Sequence, residues 1–190
     1  MSNKTQEKHN NQEGIQSSVG DNLLAALHQA TEKQAAGNIS EAEEAYEKIL
    51  EQEPENKFAN QLLGGLALQK GNYERAYKYL SKALLVDPSN EELNSNAGIA
   101  LVKLQRFDEA IRHFNQALVD EPDYASAHNG LGTVLREQGY PMKALVHHIQ
   151  ALESQPNNYR MRNNYANTLK ELGRTDEALE QYNLALDDAN

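Results

Sequence analysis

The stretch HNGLGTVLREQG, His128 to Gly139, admits two readings. A Gly-x-Gly followed by an apolar residue can be a turn that cradles a phosphate, which would make the chain a nucleotide-using enzyme. The same residues can be plain helix with two glycines in it. A phosphate-binding fingerprint needs a strand before its glycines and a third glycine after them. Here the flanking sequence reads as helix and the third glycine is missing.

The rest of the chain decides the matter through a repeat. Prolines stand at Pro54, Pro88, Pro122 and Pro156, a spacing of 34 residues at each step. Alanines keep the same interval at Ala42, Ala76, Ala110, Ala144 and Ala178. A column of small residues runs Ala30, Gly64, Gly98, Gly132, Ala166. A fourth column, Ile49, Ala83, Ala117, Ala151 and Ala185, is followed each time by leucine. A fifth is large and mostly aromatic: Tyr46, Leu80, Phe114, His148, Tyr182. Gly132 therefore belongs to a packing column. Glycine inside a helix costs about 1 kcal/mol against alanine, and close approach of a neighbouring helix is the compensating reason. A larger residue there would overpack, at about 1–3 kcal/mol.

Each unit reads as two helices. In the second, helix A runs from about Lys57 to Lys70 and helix B from Tyr73 to Val86, with Gly71 able to take a left-handed cap between them. Gly37, Gly139 and Gly173 mark the same turn in other units, and Gln105 stands there in the third. Pro141 falls at the start of a helix B, where its missing N–H does little harm.

Composition agrees. The chain has 190 residues, 39% of them apolar, with no Trp and three Phe, so Ala and Leu must carry the packing, and both favour helix. Eighteen basic against 28 acidic residues give a net charge of −10, which repels nucleic-acid backbones and anionic membrane surfaces. The absence of cysteine excludes disulfides, thiolate metal sites and a cysteine nucleophile. No secretory leader and no long apolar run is visible, so a soluble, cytoplasmic protein without membrane insertion is expected. Residues 1–21 are polar and expected to be a disordered tail. Residues 22–190 are expected to form one array, with repeats at about 23–56, 57–90, 91–124, 125–158 and 159–190.

These columns resemble the tetratricopeptide repeat, whose pattern places Leu-Gly, then Ala-x3-Phe, then Pro in a 34-residue period. The matches are Leu63-Gly64, Ala76 to Leu80 and Pro88; Ala97-Gly98, Ala110 to Phe114 and Pro122; and Leu131-Gly132, Ala144 to His148 and Pro156. The signature Trp is absent, and its column holds Ala26, Asn60, Asn94, His128 and Arg162. The resemblance implies an all-α fold: about five antiparallel helix-turn-helix repeats in a right-handed superhelical solenoid, helices A lining a concave groove and helices B the convex back. It also implies a protein or peptide partner. One helix pair cannot bury its own apolar face, so neighbours must stack.

In that fold the groove wall of the second unit holds Phe58, Gln61, Leu62, Gly65, Leu68 and Gln69, and that of the third Glu92, Ser95, Asn96, Ile99, Val102 and Lys103. The fourth presents Ser126, Asn129, Gly130, Thr133, Arg136 and Glu137. The fifth presents Arg160, Asn163, Asn164, Asn167, Lys170 and Glu171. The wall turns from apolar to amide and cation along the chain. Asparagine is a poor helix-interior residue, and its amide can grip a peptide backbone whatever the side chains, since it offers donor and acceptor together. The peptide-binding set is accordingly Asn96, Asn129, Thr133, Arg136, Arg160, Asn163, Asn164, Asn167 and Lys170. Asn96 and Asn164 share a column that Gly130 interrupts, similar to the asparagine ladder in the repeat domains of O-linked N-acetylglucosamine transferases.

His148 stands in the packing column and is expected to be half-buried; His113 and His147 are expected on the outer helices. Adjacent His147 and His148 diverge by about 100° on a helix and cannot share one ion, so no metal or cofactor is expected. Glu41, Glu43 and Glu44 read as a solvated helix start. No nucleophile–base–orienter set is visible, which argues against an enzyme. The expected function is a non-catalytic scaffold holding an extended peptide in the groove. The alternatives are the recognition portion of a larger glycosyltransferase- or sulfotransferase-like enzyme, or a scaffold that self-associates through an uncapped C-terminal repeat.

Overall fold

The computed structural model describes residues 22–189, so the polar tail expected over 1–21 lies outside the described residues. Helix α1 covers residues 22–35. It is followed by α2 (Ile39–Gln52), α3 (Lys57–Gln69), α4 (Tyr73–Val86), α5 (Glu91–Lys103) and α6 (Phe107–Asp120). Then come α7 (Ala125–Glu137), α8 (Pro141–Ser154), α9 (Tyr159–Glu171) and α10 (Thr175–Asp188). Among the described residues there is no strand. The stretch His128 to Gly139 is helix α7 and the turn that ends it.

The turns within repeats need a left-handed residue. Gly37, Gly71, Gly139 and Gly173 have φ between 72° and 83°, while Gln105 takes the same turn with a side chain, at φ 59°. Between repeats, asparagines start α3, α5 and α9, while Tyr124 stands at the start of α7 without a side-chain cap. Asn56 accepts from the Ala59 N–H at 3.0 Å, Asn90 from Leu93 at 2.9 Å and Asn158 from Met161 at 3.2 Å.

The small and large columns are partners. A Cβ on Gly64 would sit 2.6 Å from Leu80 Cγ, one on Gly98 2.6 Å from Phe114 Cε1, and one on Gly132 2.6 Å from His148 Cε1. What presses on each glycine is thus the large side chain of its own repeat's second helix, rather than a neighbouring backbone as the sequence suggested. Leu80, Phe114 and His148 are all fully buried. Gly130 crowds the Phe114 ring from the next repeat, so one ring is held between two glycines.

The column that lacks Trp has its own device. Asn60 donates to the carbonyl of Pro54 at 3.1 Å, Asn94 to that of Pro88 at 2.8 Å, and His128 Nε2 to that of Pro122 at 2.8 Å. The Arg162 guanidinium donates likewise to Pro156. Each such residue ties the inter-repeat turn to its helix A. Three also reach the second helix of their repeat: His113 Nδ1 donates to Asn94 Oδ1 at 3.0 Å, His147 Nδ1 meets His128 Nδ1 at 3.1 Å, and Arg162 donates to Gln181 at 3.1 Å. A polar column buries its hydrogen bonds where an indole would bury area.

Curvature follows from which helices meet. Successive first helices touch one another, α3 with α5, α5 with α7 and α7 with α9. No comparable packing joins α4 to α6 or α6 to α8. The odd-numbered helices are therefore on the inside of the bend.

Candidate functional site

On that inner side, α5, α7 and α9 enclose an open hollow of about 630 Å³. Gly130 stands in its wall where the neighbouring repeats carry Asn96 and Asn164. The Phe114 ring fills the place that a side chain at Gly130 would take. Ile99 and Val102 of α5, with Phe107 at the start of α6, give that side an apolar lining. Asn129, Thr133 and Arg136 come from α7, and Arg160 and Asn164 from α9.

Five of the nine residues expected from the sequence thus border one hollow, and the other four do not line it. The two amides are coupled: Asn164 Nδ2 donates to Asn129 Oδ1 at 2.9 Å. That leaves Asn129 Nδ2 as a donor and Asn164 Oδ1 as an acceptor, both without a protein partner among the described residues. Thr133 spends its hydroxyl on the Asn129 carbonyl at 2.9 Å, within α7. Arg136 is gripped by Glu137 and Glu171, both at 2.9 Å, and its side chain is only 18% exposed. Its Nε is buried without a partner. Arg160 is exposed; its Nε donates to the Tyr159 hydroxyl at 3.0 Å and its guanidinium lies over that ring, 5.6 Å from the centroid. Lys103 is exposed at the rim and has no acidic partner among the described residues.

Several residues placed on the wall by sequence do other work. Asn167 accepts from the Tyr182 hydroxyl at 2.6 Å and so fastens α9 to α10. Ser95 is buried with an unpartnered hydroxyl. Gly130, which interrupts the Asn96–Asn164 column, lies in the wall of the hollow. Asn96 and Asn163 are half-buried on α5 and α9, and Lys170 is exposed on α9. Glu43 is not part of a solvated helix start: it is largely covered and binds both Lys70 and Arg75 from the next repeat.

The histidines turn inward more than the sequence implied. His148 is fully buried with neither ring nitrogen partnered. Burial, with lesser repulsion from Arg136 and His147, lowers its pKa to about 4. Burial also lowers the pKa of His113, aided by Arg112, and of His147, aided by His128. The pairing of His128 with His147, their rings stacked at 5.4 Å, brings together side chains that no local pattern links. Among the described residues no cluster of three or more His, Cys, Asp or Glu side chains could hold a metal ion. Nor, among them, is any helix long and apolar enough to cross a membrane.

Comparison with known families fits this geometry. A profile of the tetratricopeptide repeat matches residues 34–95 and 67–133, and a second such profile matches 149–180. The chain belongs to the tetratricopeptide repeat family. Among solved structures it is similar to MamA, with 24% identity and a TM-score of 0.73 over 89% of this chain and 92% of that one. It is similar to YrrB, described as a tetratricopeptide repeat protein with an unusual peptide-binding site, with 22% identity and a TM-score of 0.68 over 91% of each chain. TTC0263, a thermophilic repeat protein of Thermus thermophilus, gives 25% identity and a TM-score of 0.73 over 88% of this chain and 91% of that one. No curated protein sequence matches the chain.

Proposed function

We propose that this tetratricopeptide repeat protein is a non-catalytic interaction scaffold that holds an extended segment of a partner protein along its inner surface, across the hollow between α5, α7 and α9. The observation that carries the reading is the Asn129–Asn164 pair. Their mutual hydrogen bond fixes both amides and leaves one donor and one acceptor at the edge of the hollow. A peptide unit needs such a pair, because its N–H and C=O lose water together on docking. Fixing the amides beforehand lowers the ordering cost of binding. The peptide-binding site named for YrrB supports a peptide as the kind of guest.

Selection of a random dodecapeptide library on the immobilised protein tests this. Peptides are expected to be enriched, and their affinity is expected to fall about thirtyfold in the double variant Asn129→Ala, Asn164→Ala, each of the two lost amide contacts being worth about 1 kcal/mol. The melting temperature should change little, since only one part-buried side-chain hydrogen bond is removed and alanine favours helix over asparagine. Enriched peptides that bind the double variant as tightly as the native protein would refute the assignment.

A further inference from the structure

Resting on that reading, the geometry points to the composition of the guest: we propose that the hollow selects an acidic peptide segment with one large apolar side chain, the apolar group entering beside Gly130 and the acidic side chains lying against Arg160 at the start of α9 or Lys103 at the end of α5. The hollow, at about 630 Å³, is wide enough for a leucine or an aromatic ring. Its α5 side is apolar through Ile99 and Val102. An extended polar segment alone would leave these surfaces wet.

The charge argument separates the cations bordering the hollow. Arg136 is already neutralised by Glu137 and Glu171 and has nothing to offer an anion. Arg160 is different. Its Nε is occupied by the Tyr159 hydroxyl and its plane is steadied by the ring, while its two Nη groups have no partner among the described residues. That edge is the fork that takes a carboxylate through paired hydrogen bonds. Lys103 adds a second uncompensated charge at the rim, on a chain whose net charge is −10. A local positive site on an acidic protein attracts acidic guests to that place, while the acidic surface elsewhere repels them.

The dodecapeptide selection decides this when run on the native protein and on Lys103→Glu with Arg160→Glu. Both side chains are exposed and hold no ion pair, so the variant should fold as the native protein does, which circular dichroism and the melting temperature can verify. From the native protein, the enriched sequences should share a Leu, Ile, Met or Phe next to at least one Asp or Glu. A fluorescein-labelled peptide of that consensus should bind the charge-reversed variant at least about tenfold more weakly, and added salt should weaken its binding to the native protein. Replacing its apolar residue by Gly should weaken it by about tenfold as well. A consensus without acids or without an apolar residue would overturn the inference, and so would equal binding to the charge-reversed variant. Either result, with binding still lost in the Asn129 and Asn164 double variant, would leave the groove reading standing. No enrichment at all would overturn both.

Discussion

His148 carries a cost that its column shows to be avoidable. The equivalent positions hold Leu80 and Phe114, both fully buried against a glycine as His148 is against Gly132. Its two nitrogens have no partner, which costs about 1–3 kcal/mol for a buried polar group. His148→Phe is expected to raise stability by an amount of that order in urea unfolding at pH 7. The pH dependence has a definite sign. The folded pKa of His148 is lowered to about 4, from 6.5 in the unfolded chain, so between those values the unfolded state binds more protons. Stability therefore falls as pH drops from 6.5 towards 4, by about 2 kcal/mol at pH 5 from this group alone. His148→Phe should flatten that decline, and urea midpoints at pH 7 and pH 5 for both proteins would measure it. Two glycines give an opposite pair. A Cβ on Gly98 would press into the Phe114 ring at 2.6 Å, whereas one on Gly65 would meet nothing within 4 Å. Gly98→Ala should lose about 1–3 kcal/mol by overpacking, and Gly65→Ala should gain about 0.5–1 kcal/mol from helix propensity. Thermal denaturation of the two variants side by side gives the answer. The column at 98 was readable as a packing position from its period, and Gly65, next to the column member Gly64, was readable as a groove-wall residue from the same register.

At the scale of the helix pair, the turn sets the limit. Four of the five within-repeat turns use glycine at positive φ, and α5 passes to α6 through Gln105 at φ 59°. A left-handed side chain costs about 1–2 kcal/mol. Gln105→Gly should therefore stabilise the protein by about 1 kcal/mol, read as a higher urea midpoint with an unchanged slope. The result has a second use, since Gln105 borders the hollow and the variant leaves that wall without a side chain. The pairs themselves were legible in the sequence: Lys57–Gln69 and Tyr73–Val86 fall within a residue of the spans that the breaks at Gly71 and Pro88 imply. The polar substitute for Trp was less so. Asn60, Asn94, His128 and Arg162 look unrelated as letters, yet each can donate, and each donates to the carbonyl of the proline six residues before it. The signal was present as a shared donor function in one column.

Across the whole molecule the array is asymmetric. On α1, Gln29 and Glu32 are exposed where inner repeats bury Leu63 and Leu66, so the first helix turns a polar face outward. On α10, Leu179 is 59% exposed, although its counterpart Leu145 is only 8% exposed. Helix α10 packs chiefly on α9. In a stack where each unit is stabilised by its neighbours, such a helix opens first. Amide hydrogen exchange should be faster in α10 than in α5 through α8, and uniform protection along the array would contradict this. Helix α10 exposes Leu179, Leu184 and Leu186 alongside the acidic Asp176, Glu180 and Asp187. The class of the fold, the period, the helix pairs and the packing columns could be read from the chain alone, because they depend on side-chain size and turn chemistry recurring at a fixed interval. Which amides meet, which cations are already neutralised and where the wall opens emerged from the folded molecule. Those depend on residues some 35 positions apart being brought side by side, and no local pattern records the direction in which each side chain then points.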